Sequence, residues 1–116
     1  MEYPIRKTQK VYSLKLSLNA ISNFDEITGY IAFNKKEPLS AIGVGGKIFN
    51  VIERIGKNPF AFRECEEIKT KSRMYRKAVC MSWLIIYKVS GTEILILGII
   101  HSSRQPLTIK KLRKTI

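Results

Sequence analysis

The chain has 116 residues, which suits one domain, and 45% of them are hydrophobic, which is enough for one core. It has no run near the roughly 20 apolar residues of a membrane span, and no apolar N-terminal segment followed by small residues. We therefore predict a single cytoplasmic domain over residues 1–116 without membrane contact. Its two cysteines and one histidine match no zinc spacing, so we expect buried free thiols, no metal and no cofactor.

The positive charge is concentrated in the C-terminal part of the chain. The formal net charge is +12, and residues 68–116 carry +10 of it, with 11 basic residues and one acidic residue. Charge of this density favours a polyanionic partner, such as nucleic acid, a ribosome or an acidic protein. A basic surface that serves only solubility is the alternative.

The chain begins with a predicted strand and a predicted helix. Apolar and polar residues alternate from Val11 to Ser17, which predicts a strand, and Ser17 is a suitable N-cap. From Ala20 the apolar residues recur at spacings of four, three and four. This period predicts a helix that extends to about Asn34.

A second helix is predicted from Glu37-Pro38 to about Gly56, because proline is tolerated in a first turn and Asn58-Pro59 acts as a stop signal. The glycine-rich residues 42–47 lack the flanking positions of a phosphate-binding loop. Close approach of the two helices, or of a partner, explains these glycines better. The predicted buried stripe of the helix is Ala41, Val44, Ile48, Ile52 and Ile55.

Three further strands are predicted at residues 74–80, 83–89 and 93–100, and the short spacers between them predict antiparallel hairpins. The segment before them has no clear period, and we expect its carboxylates to be exposed: Glu64, Glu66 and Glu67. The predicted fold is α+β, with an N-terminal strand, a helical hairpin and a three-stranded antiparallel meander (β-α-α-β-β-β). The basic tail from about residue 107 has two lone apolar residues between charges. A short helix docked on the sheet and a partner-binding arm are open alternatives, and we predict that the tail is disordered in isolation.

The only histidine, His101, directly follows the last predicted strand. If the sheet edge gathers His101 and Arg104 with the cations that begin an earlier strand (Arg73, Arg76 and Lys77), the cluster would bind phosphate. The imidazole could then transfer a proton near neutral pH. The alternative is that His101 only caps the strand end through hydrogen bonds.

The order of the elements and several short motifs resemble the RelE/ParE superfamily of toxins from bacterial type II toxin–antitoxin systems. The resemblance covers roughly Val11 to Pro106. The motifs are Ser17-Leu18-Asn19-Ala20, Asp25-Glu26-Ile27, Tyr30-Ile31, Asn58-Pro59, Arg76-Lys77, Trp83 to Val89, and Ile96 to Pro106.

The resemblance implies a toxin that a cognate antitoxin holds inactive in a heteromeric complex. ParE-like members act on DNA gyrase by binding. RelE-like members instead cleave messenger RNA on the ribosome with lysine and arginine side chains and a C-terminal tyrosine or histidine. An acidic antitoxin tail would complement the charge of +10 on residues 68–116.

The residues match the ParE branch better than the nuclease branch. His101 and Arg104 match the ParE-type strand ending, although Gln105 replaces the commoner acidic residue. The tail beyond Pro106 has neither the tyrosine nor the histidine of the nuclease branch. The phosphate- or partner-binding residues that the resemblance implies are Lys69, Lys71, Arg73, Arg76, Lys77 and Arg104.

We therefore predict a ParE-like toxin that inhibits gyrase, with a ribosome-dependent messenger RNA endonuclease as the alternative. The sequence leaves open whether the chain is an enzyme. In the nuclease, His101 would move protons and Arg104 would bind phosphate as catalytic residues. Loss of His101 would then cost about 10²–10⁴-fold in rate, whereas a gyrase binder should tolerate the change.

Overall fold

The element order observed in the computed structural model, which describes residues 11–115, confirms the predicted α+β fold and adds a helix at its end. Short turns connect the main elements: a π-helical turn at Tyr30–Asn34 and 3-10 turns at Pro59–Ala61, Glu66–Ile68 and Leu112–Lys114. The strands and helices are β1 (Ser13–Leu16), α1 (Leu18–Gly29), α2 (Pro38–Lys57), β2 (Tyr75–Cys80), β3 (Trp83–Ser90), β4 (Glu93–His101) and α3 (Pro106–Lys111).

Ser17 joins the start of α1 to the centre of the sheet. Its hydroxyl accepts a hydrogen bond from the Ala20 amide at 3.0 Å, as predicted for the N-cap, and donates to the Leu97 carbonyl at 3.0 Å. The helix begins at Leu18, directly after the predicted cap, and its α-helical part ends at Gly29. The chain reaches the predicted end near residue 34 only through the π-helical turn.

Gly45 allows α1 and α2 to pack closely against each other. A methyl group at this position would lie 3.1 Å from the Phe24 ring, so the predicted close approach of the helices is confirmed here. Gly45 is buried and Val44 is only half-buried, which shifts the predicted stripe by one residue. The other predicted members of the stripe are buried: Ala41, Ile48, Ile52 and Ile55.

The sheet has the strand order β1-β4-β3-β2, in which β1 is parallel to β4 and the other pairs are antiparallel. A bulge in β4 leaves Leu97 unpaired, because Ile86 faces Gly98 while Tyr87 faces Ile96. β1 ends at Leu16 opposite Ile96, so from Leu97 onward β4 has no strand on that side.

Two asparagines of α1 occupy this unpaired side of β4. Asn19 donates to the Leu97 carbonyl at 3.0 Å, and Asn23 accepts from the Ile99 amide at 2.9 Å. These bonds satisfy backbone groups that the bulge and the missing strand would leave open.

The sheet has one apolar core on each face. The first core packs against α1 and α2 and contains Ala20, Ile48, Ile52, Ile55, Ala78, Cys80, Ile85, Tyr87, Val89, Ile94, Ile96 and Ile99. The second core lies under α3 and the turn before β2 and contains Cys65, Ile68, Tyr75, Leu84, Ile86, Leu97, Ile109 and Leu112.

The tail forms a short helix docked on the sheet, which is one of the alternatives considered, so the predicted disorder is wrong for residues 107–115. Ile109 and Leu112 are only 2% and 8% exposed in the second core. Residues three apart on a helical turn share one face, and the sheet covers that face. The hydrophobic contact with the sheet stabilises a helix that its own sequence could not.

Both cysteines are buried and free, as predicted. Burial raises the pKa of Cys65 to about 11, with a further contribution from the neighbouring Glu67 charge, and burial also raises the pKa of Cys80. Both thiols are therefore protonated and unreactive at neutral pH. Between residues 11 and 115 no helix has the length and apolar character needed to cross a membrane.

Candidate functional site

His101 lies at the end of β4, directly opposite Trp83 on β3. The two rings pack edge to face with centroids 6.3 Å apart. The imidazole Nδ1 is 2.7 Å from the Ser103 hydroxyl and accepts from the Ser103 amide at 3.2 Å. Because Nδ1 is an acceptor here, the neutral ring carries its proton on Nε2. The imidazole thus caps the turn after β4, which is the alternative role considered for it.

The ring borders two neighbouring concavities of about 480 and 470 Å³. They share His101, Trp83, Glu26 and Ile27, and we call them together the strand-end groove. One wall is α1 with the π-helical turn, and the other is the start of the tail and α3. Three cations line the groove: Lys35, Arg104 and Lys111.

The predicted basic cluster does not form at this groove. His101 lies opposite Trp83, whereas Arg76 lies opposite Tyr87, four residues or about 13 Å further along β3. β2 and β4 are both antiparallel to β3, so they run in the same direction. The start of one and the end of the other are therefore at opposite ends of the sheet, and the expected gathering of His101 with the cations that begin β2 is wrong.

Lys77 is bonded within the fold. Its ammonium lies 3.2 and 3.4 Å from the two carboxylate oxygens of Glu67, and the residue is 9% exposed. Burial acts to raise the pKa of Glu67, but hydrogen bonds from its own amide and from Lys77, together with the Lys77 charge, lower this pKa overall. Lys77 therefore presents no free charge to a partner. Glu64 and Glu67 are half-buried, so they are not the exposed carboxylates that we predicted, whereas Glu66 is exposed.

Arg76 is also held by protein groups. Its guanidinium donates to the carbonyls of Arg73 and Phe62 at 3.0 and 2.9 Å, and it lies 4.9 Å from the centroid of the Phe60 ring. The turn before β2 carries exposed cations, namely Lys69, Lys71 and Arg73. Of the six predicted phosphate- or partner-binding residues, the structure brings only Arg104 to the groove beside His101.

A second groove, of about 610 Å³, lies between α1 and α2. Apart from Asp25 and Thr28 its lining residues are apolar, and Phe33, Ile42 and Phe49 are 80%, 71% and 51% exposed. We call it the hairpin groove. Sequence analysis missed it, although Leu39, Ile42 and Phe49 recur at spacings of three and seven and form a second apolar stripe on α2.

Metal-ligating side chains are scattered over the described part of the chain. Between residues 11 and 115 no group of three histidine, cysteine, aspartate or glutamate side chains could hold an ion.

The fold and these two grooves define a small basic α+β protein that presents binding surfaces. A family model described as "ParE toxin of type II toxin-antitoxin system, parDE" matches residues 14–106. The chain belongs to this family of toxins, and the resemblance predicted from the sequence is confirmed. A toxin–antitoxin system of this type includes an antitoxin as the toxin's partner.

One solved structure with this fold is a chain of the "Chromosomal ParDE TA system from P. aeruginosa". The two chains are 21% identical and superpose with a TM-score of 0.64 over 78% of this chain and 96% of that one. The comparison with curated proteins gives no match.

Proposed function

We propose that this toxin inhibits DNA gyrase by binding to it, without cleaving a substrate. The observation that supports this most strongly is that the cations of β2 do not gather with His101 as predicted. A nuclease needs its phosphate-binding cations and its proton-transfer group around a single phosphate. Arg76 lies about 13 Å along the sheet from the row of His101, and Lys77 is neutralised by Glu67.

We propose that a cognate antitoxin neutralises the toxin in a heteromeric complex in the cytoplasm. The hairpin groove exposes several large apolar side chains side by side, which marks an interaction surface. Acidic side chains of the antitoxin would complement the charge of +10 on residues 68–116.

The two branches of the superfamily can be separated by two parallel assays. Purified protein is added to a gyrase supercoiling reaction and to translating ribosomes. We expect blocked supercoiling and intact message. Cut message together with normal supercoiling would contradict the proposal and would favour the RelE-like endonuclease.

His101→Gln sharpens this test, because glutamine retains an acceptor for the Ser103 amide but cannot act as a general acid or base. We expect gyrase inhibition within a few-fold of the unmodified protein. A loss of about 10²–10⁴-fold in message cleavage would instead show that the imidazole takes part in chemistry.

A further inference from the structure

We propose that the strand-end groove contains a binding site for a small aromatic carboxylic acid. The site is the concavity of about 470 Å³, which we call the aromatic pocket. The ring of the ligand would pack against Tyr30 and Trp83, and its carboxylate would lie at Lys35. This inference goes beyond the proposed function, since it requires neither gyrase nor an antitoxin and is tested on this chain alone.

The size and the walls of the aromatic pocket suit a small molecule. Sites for small molecules have volumes of about 300–1,000 Å³ and are lined mostly by apolar and aromatic side chains, with a few polar groups that orient the ligand. Here the apolar and aromatic walls are Ile27, Tyr30, Ile31 and Trp83. Tyr30 is 54% exposed and Trp83 is half-buried, so both rings present surface to a ligand ring.

Three hydrogen-bond donors of the pocket have no acceptor in the protein: the Lys35 ammonium, the His101 Nε2–H and the Trp83 indole N–H. None of the ion pairs or side-chain hydrogen bonds within residues 11–115 involves these groups, since His101 is bonded through Nδ1. No buried polar side-chain atom of this part of the chain lacks a partner, so the indole N–H reaches solvent. The ammonium lies 6.0 Å from the centroid of the Tyr30 ring. Free donors beside an aromatic ring favour an aromatic ligand that carries an anionic acceptor.

The charges around the pocket favour an acid over an amine. The adjoining concavity contributes Arg104 and Lys111, and Glu26 is the single carboxylate among the described lining residues, which leaves a formal charge of +2 on the groove. The Glu26 carboxylate accepts a hydrogen bond from Ser22, one turn earlier on α1, at 3.4 Å. Lys35 follows the opposite end of α1. A ligand carboxylate at Lys35 is therefore attracted by the groove and is placed away from its one negative charge.

The indole N–H of Trp83, the single tryptophan of the chain, reports directly on the pocket. Its NMR signal is followed while the full-length, ¹⁵N-labelled protein is titrated with phenylacetate, phenethylamine or cyclohexylacetate. The amine tests the charge of the ligand, and the cyclohexyl acid tests its aromatic ring. We expect a saturable shift with phenylacetate at a dissociation constant of about 1 mM. The other two compounds should bind several-fold more weakly, and added salt should weaken phenylacetate binding.

Surface variants locate the ligand within the pocket. Lys35→Gln should weaken phenylacetate binding about fivefold or more, because the charged donor is lost. The matched control is Lys36→Gln, which removes the next exposed lysine of the chain, outside the groove. Tyr30→Leu should reduce the preference for phenylacetate over cyclohexylacetate, since leucine keeps apolar contact but has no ring. Glu26→Gln should strengthen binding, since it removes the carboxylate of the groove.

The proposal is wrong if any one of three results is obtained. A Trp83 signal that does not respond saturably to phenylacetate up to about 20 mM, well above the expected dissociation constant, would show that the pocket has no such site. Equal binding of phenylacetate and phenethylamine would show apolar attraction without recognition of the acid. An equal loss of affinity for Lys35→Gln and Lys36→Gln would show attraction by net charge alone.

Discussion

The hairpin groove and the strand-end groove share α1 and the π-helical turn as walls but differ in their other walls and in their charge. The hairpin groove is built by two helices that are consecutive in sequence, and its exposed surface is apolar. The strand-end groove is built from α1, the start of β3, the end of β4, and α3, and it carries three cations. An exposed apolar surface is typical of a stable protein–protein interface, whereas a basic cleft favours an anionic partner whose binding weakens as salt is raised. The two surfaces therefore suit partners of different chemistry.

The largest expected effect is a loss of stability when the contact between α3 and the sheet is weakened. Because α3 is a wall of the strand-end groove only, this change distinguishes the two grooves. Ile109→Ala should cost about 3 kcal/mol of unfolding free energy, because Ile109 is 2% exposed in the second core. Urea denaturation measures the cost, and hydrogen exchange shows whether α3 detaches first. The control is Leu107→Ala, which truncates a residue that is 64% exposed and should change stability by less than about 0.5 kcal/mol. A similar cost at both positions would show that α3 is not held by the sheet.

A charge in the hairpin groove should affect only the antitoxin. Ile42 is 71% exposed in the groove, so Ile42→Asp should leave the fold intact. It should weaken antitoxin binding by about 2 kcal/mol or more, or roughly 30-fold, if Ile42 is a central contact. Calorimetry with the antitoxin that neutralises the unmodified toxin gives the affinity, and gyrase inhibition by the free variant should be unchanged. Undiminished antitoxin affinity would exclude this groove as its binding surface.

The Lys77–Glu67 pair should make the side of the sheet under α3 sensitive to acid. The pKa of Glu67 is lower in the folded protein than its ordinary value of 4.5. The stabilisation is therefore complete above about pH 4.5 and is lost as pH falls through the folded-state pKa. Glu67→Gln should cost about 2 kcal/mol at pH 7 and flatten the dependence of stability on pH below 4.5. Thermal melts from pH 2 to 7 measure this, with the exposed Glu66→Gln as the control.

The smallest expected effects concern two exposed glycines of α2. Gly43 and Gly46 both face open space, so changing either to alanine should stabilise the helix by about 0.5–1 kcal/mol. Only Gly46 lines the hairpin groove. Melting temperatures should rise equally for both variants, while antitoxin affinity should change for Gly46→Ala alone. A change in antitoxin affinity for Gly43→Ala would show that the antitoxin binds outside this groove.

The sequence predicted the elements well because each has a strong local signal. The first helix is marked by the capping side chain of Ser17 and by the apolar period that follows this residue. The strands between Met74 and Ile100 are marked by the short polar spacers that separate them. The tail has no such local signal. Ile109 and Leu112 indicate a helix only once the sheet against which they pack is known. Burial by distant residues overrode a weak local preference.

The site was harder to predict than the fold, because it depends on the direction of strands. His101 and Arg76 are both next to apolar runs, and only the shared direction of β2 and β4 shows that they lie far apart. Pairing of Lys77 with Glu67 likewise joins two segments whose spacing in sequence carries no information. In the sequence Trp83 is only one residue of a strand motif. The register of β3 and β4 is what places it opposite His101.

The early end of β1 has a consequence for how the protein avoids association with other chains. An unpaired length of strand is a template on which another strand can add, and it promotes aggregation. On β4 the Leu97 carbonyl and the Ile99 amide are already bonded to Asn19 and Asn23. The two asparagine side chains thus occupy backbone groups that a neighbouring strand would otherwise have to pair. The edge is protected, and the space that such a strand would fill stays open. The side-chain bonds that protect β4 from association with other chains therefore also leave an open groove beside the end of this strand.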